Sequence, residues 1–553
     1  MSLFSIGLSG MHAAQNALLT TGNNINNAFT PGYNREITQL AEQDGRRGVT
    51  VANVERQFDR YVTAQLNDAT SASTALRTYD NQISQIDDLL ADREAGLAPL
   101  MQNFFSSLED LASAPSDPAA RQGVIGNADT LSTQFRSFDA YLEDMQRGVN
   151  NQIKDEVVQI NNQTRQLAQL NREIGLARAR SGEAPNSLLN QRDQMVAQLS
   201  ERLDVKLSVQ DGKSYNLTLS SGQPLVTGAH AFGLEAMASS TDPERIVVGV
   251  RDAGGNAAEL APGTISGGTL GGLTRFRGET LDDTQNQLGR LAISLAQGFN
   301  EQHRAGVDLD GNPGEDMFEI GEPQAFASNR NGGSAKVDSI VIDDYKELRA
   351  TDYEIRINDN SPADASGFTL QRKDNGQKLE AGSDFTFDSA NRTLSFGGVE
   401  LSFDGGTLNQ GDRFEVQPVR HGAGGMENRI SELDKIAAGI AEPDGDTSTG
   451  DNRNALAMQN LQNAKLVGGN ASVNQAYGGL ISDVGNRTNV VKVNLDARQG
   501  LTEQLYAVQQ SQSGVNLNDE AANLMRYQQF YQANAKVIEI GSTVIDTILG
   551  LRN

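Results

Sequence analysis

The chain has 553 residues, 37% of them apolar and 56 of them glycine, enough for several domains with their own cores rather than a disordered tail. Its formal net charge of −25 repels phosphate backbones and anionic lipid, so neither nucleic acid nor a membrane surface is an expected partner. Cysteine is absent, which excludes disulfides, thiolate metal sites and cysteine nucleophiles together.

No apolar run reaches the ~18 residues of a membrane-spanning helix, so no membrane insertion is expected. The N-terminus also lacks the basic start of a cleavable signal. From Met1 to Asn34 there is no Asp, Glu, Lys or Arg. Such a charge-free leader suits a segment later buried against copies of itself. Within it Phe4, Leu8, Met11, Gln15, Leu18, Gly22 and Ile25 alternate steps of four and three, the seam of a coiled coil. Residues 57–92 place Leu66, Ala69, Leu76, Ile83, Ile86 and Leu90 on one helical stripe. Pro115 and Pro118 then break the chain between helices. Residues 135–180 repeat the pattern with Val149, Ile153, Ile160, Leu167, Leu170 and Ile174.

The period changes to two from Val205 to Thr227, where VKLSVQDGKSYNLTLSSG reads as strands with glycine turns. A further helix is expected over 272–303, with Leu281, Leu288, Leu291, Leu295 and Phe299 on its buried face. Residues 320–420 are β-like throughout, and helical patterning returns after them. The C-terminal helix carries the longer seam: Leu517, Ala521, Leu524, Gln528, Tyr531, Ala535, Ile538, Ser542, Ile545 and Leu549. It should be roughly 50 Å long and be capped by Asn518 or Asp519. The two seams invite each other.

The fold class is therefore mainly α with inserted β: paired terminal coiled-coil helices, a long helical rod, and an outward β-domain. The expected division is a terminal domain of 1–56 with 515–553, and a helical inner domain of 57–319 with 421–514. The inner domain carries a small β excursion near 204–265, and a β-rich outer domain covers 320–420.

Nothing reads as an active site. Asp308, Asp310, Asn312, Asp316 and Glu319 fit positions of a calcium loop, but Pro313 stands where that loop needs glycine for its sharp turn. The glycines of GTISGGTLGGL, Gly263 to Leu273, lack the Lys-Ser/Thr of a phosphate cradle and read as a tight turn. Asp87 with Asp88, and Asp282 with Asp283, point different ways on their helices and read as solvated charge. No catalytic residue, metal ligand or cofactor is expected.

Local sequences now become specific. GNNINNAFTPGYNRE, Gly22 to Glu36, resembles the N-terminal signature of the flagellar rod, hook and hook-associated axial proteins. Its motif residues here are Asn23, Asn24, Asn26, Thr30, Pro31, Gly32 and Tyr33, with Pro31-Gly32 forming a turn onto which Tyr33 packs back. The stretch from Gly514 to Glu539 is similar to the C-terminal pattern of the hook–filament junction members. So are NFFSSLEDLASAPSDPAARQGV from Asn103, APNSLLNQRDQMVAQLS from Ala184 and FNEQHRAGVDLDGNPGEDMFEIG from Phe299. The family pattern often has Asp where this chain has Asn190, and residues 330–400 are the least recognisable part.

The resemblance implies a structural subunit, not an enzyme, that forms a ring between hook and filament. It implies export through the flagellar type III apparatus with a dedicated chaperone, and an extracellular position in the flagellum. Its partners would be copies of itself, the hook protein and the next hook-associated protein. The assembly interface is expected at Leu8, Met11, Leu18 and Ile25, and at Leu517, Leu524, Tyr531, Ile538, Ile545 and Leu549. The alternatives are another axial protein, such as the hook subunit or third hook-associated protein, or a surface hydrolase or adhesin on a flagellar framework.

Overall fold

Ten helices carry the architecture of the computed structural model, which describes residues 3–42, 48–92, 96–210, 214–251, 254–441 and 448–551. They are α1 (Leu3–Asn26), α2 (Arg60–Ala91), α3 (Leu97–Ser113), α4 (Pro118–Ser181), α5 (Asn186–Arg202), α6 (Gly268–Phe276), α7 (Asp282–Arg304), α8 (Arg453–Asn460), α9 (Val473–Ser513) and α10 (Leu517–Gly550). Their ends follow from local chemistry. The Asp59 carboxylate accepts from Tyr61 N and Val62 N to start α2. Ser472 and Gln475 form a reciprocal capping box at α9. α4 is longer than the expected 135–180 because Asp117 caps it and Pro118, at its first turn, has no N–H to leave unpaired. α10 is capped by Asn516, not by Asn518 or Asp519; those two supply the N–H donors.

The stripes read from the sequence form the body of the rod. Leu66, Ala69, Ile83, Ile86 and Leu90 are buried on α2, as are Val149, Ile153, Ile160, Leu167 and Ile174 on α4. Leu76 and Leu170 are half-buried. α2 lies along α9, α3 along α4, and α4 along α5. The expected helix over 272–303 is instead α6 and α7 joined through a π-helical turn, Arg277–Leu281. The glycines read as a turn lie largely inside α6. A Cβ on Gly272 would meet the Ala75 carbonyl oxygen at 2.4 Å, so they let α6 approach α2 closely.

Antiparallel strands occupy four places among the described residues, the smallest being Phe318–Glu319 paired with Glu427–Asn428. Glu36–Glu42 pairs with Val49–Arg56 beside α1. Between 205 and 259 a four-stranded and a three-stranded sheet follow one another, and strands of both lie on α4. From 324 to 417 two four-stranded sheets face each other through aromatic contacts, including Tyr353 with Phe396 at 4.9 Å and Phe403 with Phe414 at 5.1 Å. The first and last strands of this insert pair, Gln324 opposite Gln417, so the chain enters and leaves it at one place. Helix does not resume directly after 420. The segment up to α8 holds only the short strand Glu427–Asn428 and a 3-10 turn, Leu433–Lys435, where described, and Gly422, Gly424 and Gly425 fold closely against α7, Asp139 and Gly321.

One sequence reading changes here. Asp282 is not solvated. Its side chain is held by Arg245, and Arg420 Nη1 stands 3.3 Å from its Oδ1. Arg420 in turn donates to Asp352, and Lys373 Nζ lies 2.6 Å from Glu415. This buried network ties the start of α7 to both β regions. Burial pushes the Asp282 carboxyl up, but Arg245 and Arg420 outweigh it and hold it well below the usual carboxylate range. The calcium-like stretch is a turn closed by protein groups. Asp308 accepts from Asp310 N at 2.9 Å and Asn312 N at 2.8 Å, and Lys435 Nζ stands 3.2 Å away.

His303 seals the same turn. Ala437 N donates to its Nε2 at 2.9 Å, so the ring proton sits on Nδ1 and donates to the Glu315 carbonyl at 2.6 Å. Burial lowers its pKa, with the neighbouring carbonyl and carboxylates opposing. The folded value is thus below the unfolded one. Its contribution is present above about pH 6.5 and is lost as pH falls through the folded value. The difference in urea midpoint between the natural protein and His303→Asn should therefore shrink from pH 7.5 to 5.5. A pH-independent difference would contradict this neutral, doubly bonded ring.

Candidate assembly interface

α1 and α10 pack along one another. The face that α1 turns inward is built of small residues: Gly7, Gly10, Ala14, Ala17, Thr21 and Asn24 are buried, in steps of three and four. A Cβ on Gly7 would lie 2.7 Å from Ile538 Cγ1, and one on Gly10 would lie 2.1 Å from Asn534 Oδ1. On α10 the matching face includes buried Glu520 and Gly541, with Tyr527, Asn534 and Ile538 half-buried.

The seam of large apolar residues expected between the two helices is therefore corrected. Of the ten residues chosen, Ile538 sits in the contact. Met11, Leu18 and Ile25 are half-buried, while Leu8, Leu517, Leu524, Tyr531, Ile545 and Leu549 are exposed. Both sets share one heptad period, and the small residues take the inside because they let the helix backbones approach. The large side chains, together with Phe4, Met525, Ile540 and Ile548, are left facing outward. Exposed apolar patches of this kind are, in general, surfaces that a partner covers.

The Asn-rich motif closes this pair onto the rod. The segment Thr30 to Tyr33 is a turn in which Tyr33 N donates to Thr30 O at 3.1 Å, with Pro31 second and Gly32 third at φ 76°. Asn24 is the hub. Its Oδ1 accepts from the Tyr33 hydroxyl at 2.8 Å and from Glu36 N at 2.9 Å. Its Nδ2 donates to Glu36 O at 2.8 Å and to Glu520 Oε2 at 3.1 Å. Asn23 O accepts from Asn27 N and Nδ2, and Thr30 Oγ1 donates to Asn27 Oδ1. Asn26 is exposed at the end of α1. Burial raises the Tyr33 hydroxyl pKa, and the charges of Glu36 and Glu520 add to this, so it remains a donor.

The sequence reading missed the partners of this hub. Arg35 Nε donates to Glu520 Oε1 at 2.7 Å, and Arg35 N donates to Ser513 O at 2.8 Å. Asn34 Nδ2 donates to Asn190 Oδ1 at 2.8 Å, and Arg56 reaches both Asn190 Oδ1, at 3.1 Å, and Asp193. The Asn190 departure thus keeps the acceptor oxygen that both donors need, and it was the one visible signal for this contact. A cleft of about 650 Å³ lies beside these contacts, between the motif and helices α4 and α5, with Tyr33, Gln166, Glu173 and Gln194 in its lining.

The family model described as Flagellar hook-associated protein FlgK helical domain matches residues 83–318. Those described as Flagella basal body rod protein and Flagellar basal body rod FlgEFG protein C-terminal match 4–34 and 509–551. Flagellar hook-associated protein 1 of Salmonella typhimurium is 39% identical over 563 residues, covering 100% of both chains. That of Escherichia coli is 39% identical over 562 residues, again with 100% of both covered. The flagellar hook junction protein FlgK from Burkholderia pseudomallei has a similar structure, with a TM-score of 0.75 and 28% identity over 81% of this chain and 100% of that one. By full-length identity the chain belongs to the flagellar hook-associated protein 1 family.

Proposed function

We propose that this protein is a structural subunit of the bacterial flagellum that joins hook to filament and permits the filament to assemble. The full-length identity to hook-associated protein 1 carries the reading. The outward apolar faces of α1 and α10 supply its physical basis, since a polymer subunit needs surface that only neighbours cover. Its partners are copies of itself in a ring, the hook protein on one side and the next hook-associated protein on the other. It reaches this extracellular place through the type III export apparatus with a chaperone. No helix among the described residues is long and apolar enough to cross a membrane.

The division we propose is a terminal domain of 1–56 with 515–553, an inner helical domain of 57–319 with 421–514, and an outward β-domain of 320–420. The role is mechanical and needs no catalytic turnover. A strain lacking this chain should grow hooks without filaments and release flagellin into the medium, as seen by electron microscopy and immunoblot. Normal filaments on such a strain would overturn the junction assignment.

A further inference from the structure

A cleft of about 590 Å³ lies between the β-insert and the helical body, lined by Arg290 from α7 and by Lys346, Arg349 and Arg372 from the insert. Four cations in one cleft run against a net charge of −25. Two of them have partners. Arg372 Nε donates to Asp374 at 3.1 Å, and Lys346 Nζ stands 3.9 Å from Glu301. Among the described residues no carboxylate forms an ion pair with Arg290 or Arg349, and Arg290 Nε is buried with no hydrogen-bond partner. Two carboxylates, Glu347 and Asp384, also line the cleft, and Asp384 already accepts from Glu380 N at 2.9 Å.

Burial disfavours the Arg290 cation, Asp283 opposes that loss, and repulsion from Arg349 adds to it. A guanidinium kept half-buried beside a second one, with donor atoms to spare, is half of an anion site. Gly468 lines the cleft beside Arg290. It turns at φ 59°, and a Cβ there would lie 3.7 Å from Arg290 Nη1. The Tyr353 hydroxyl, its pKa raised by burial, lines the cleft as a further donor.

We propose that this cleft binds a small multivalent oxyanion of the phosphate or carboxylate class, gripped between Arg290 and Arg349. The anion would brace the β-insert against α7, neutralising a repulsion that otherwise pushes them apart.

The test uses the full chain with pyrophosphate and citrate as separate probes, each against sodium chloride at equal ionic strength. The unfolding midpoint of the natural protein should rise saturably with at least one probe. Arg349→Ala removes the repulsion along with half of the grip, so its probe-free midpoint should be no lower than that of the natural protein, and it should need roughly tenfold more probe for half of the rise. Arg290→Gln should show the same loss. No rise beyond the chloride control, or a rise that persists unchanged in Arg349→Ala, would overturn the proposal.

Discussion

Leu524→Asp is expected to abolish self-assembly while leaving the unfolding midpoint of the monomer within ~2 °C of the natural protein. Leu524 is 38% exposed on α10, flanking the face that meets α1, with Tyr531, Ile545 and Leu549 also exposed. In an assembly, neighbouring copies cover these side chains, and burying each large side chain contributes roughly 1.5–3 kcal/mol if fully exposed beforehand. A carboxylate there loses this term and adds the cost of burying a charge, once per subunit. Ile538→Asp should behave differently. Ile538 packs against Gly7, so its loss also frees α1 within the monomer, seen as faster hydrogen exchange over residues 3–26. Sedimentation and electron microscopy check assembly, and circular dichroism checks the midpoint. Normal polymerisation of Leu524→Asp would remove the outward face from the mechanism.

Arg420→Met should cost about 3–5 kcal/mol of stability, the largest expected loss from a single substitution in the rod–insert junction. Arg420 is 5% exposed and serves both Asp352 and Asp282. Removing it leaves Asp352 buried with an uncompensated charge. Burial already raises the Asp352 pKa against the pull of Arg420 and Lys373. Without Arg420 it rises further, so the deficit should narrow as pH falls and Asp352 takes up a proton. Urea unfolding at pH 7 and pH 5 measures this. Adding Asp352→Asn should restore part of the loss, because the pair is costly chiefly when only one member remains. A deficit under about 1 kcal/mol at pH 7 would show that water reaches the network.

What the sequence revealed and what it hid divide along a physical line. The long stripes of α2 and α4 were legible because each helix repeats its period many times over, and Pro31-Gly32 was legible because a turn needs few residues. The inward face of α1 was not. Gly7, Gly10 and Ala14 carry no hydrophobic signal, and their value lies in what they do not occupy. The hub at Asn24 and Glu520 and the network at Asp282 and Arg420 were hidden for another reason. Their partners are far apart in sequence, and no local pattern marks an Asp that will meet an Arg more than a hundred residues away.

The bond from Asn24 to Glu520 spans 496 positions, and this fixes the order in which the molecule is completed. Bringing two such points together in an open coil costs an entropy growing as (3/2)RT ln n, roughly 5–6 kcal/mol before any contact forms. Two helices joined mainly over glycine, alanine and asparagine return little of that. The rod must therefore fold first and shorten the path, delivering Arg35 and Ser513 as neighbours, and only then does α10 find α1. High contact order makes this closure slow to form, and the modest seam makes it early to open. A chain threaded out in extended form would thus arrive with its rod already competent and its two terminal helices still uncommitted, free to choose between each other and the helices of the subunit beside them.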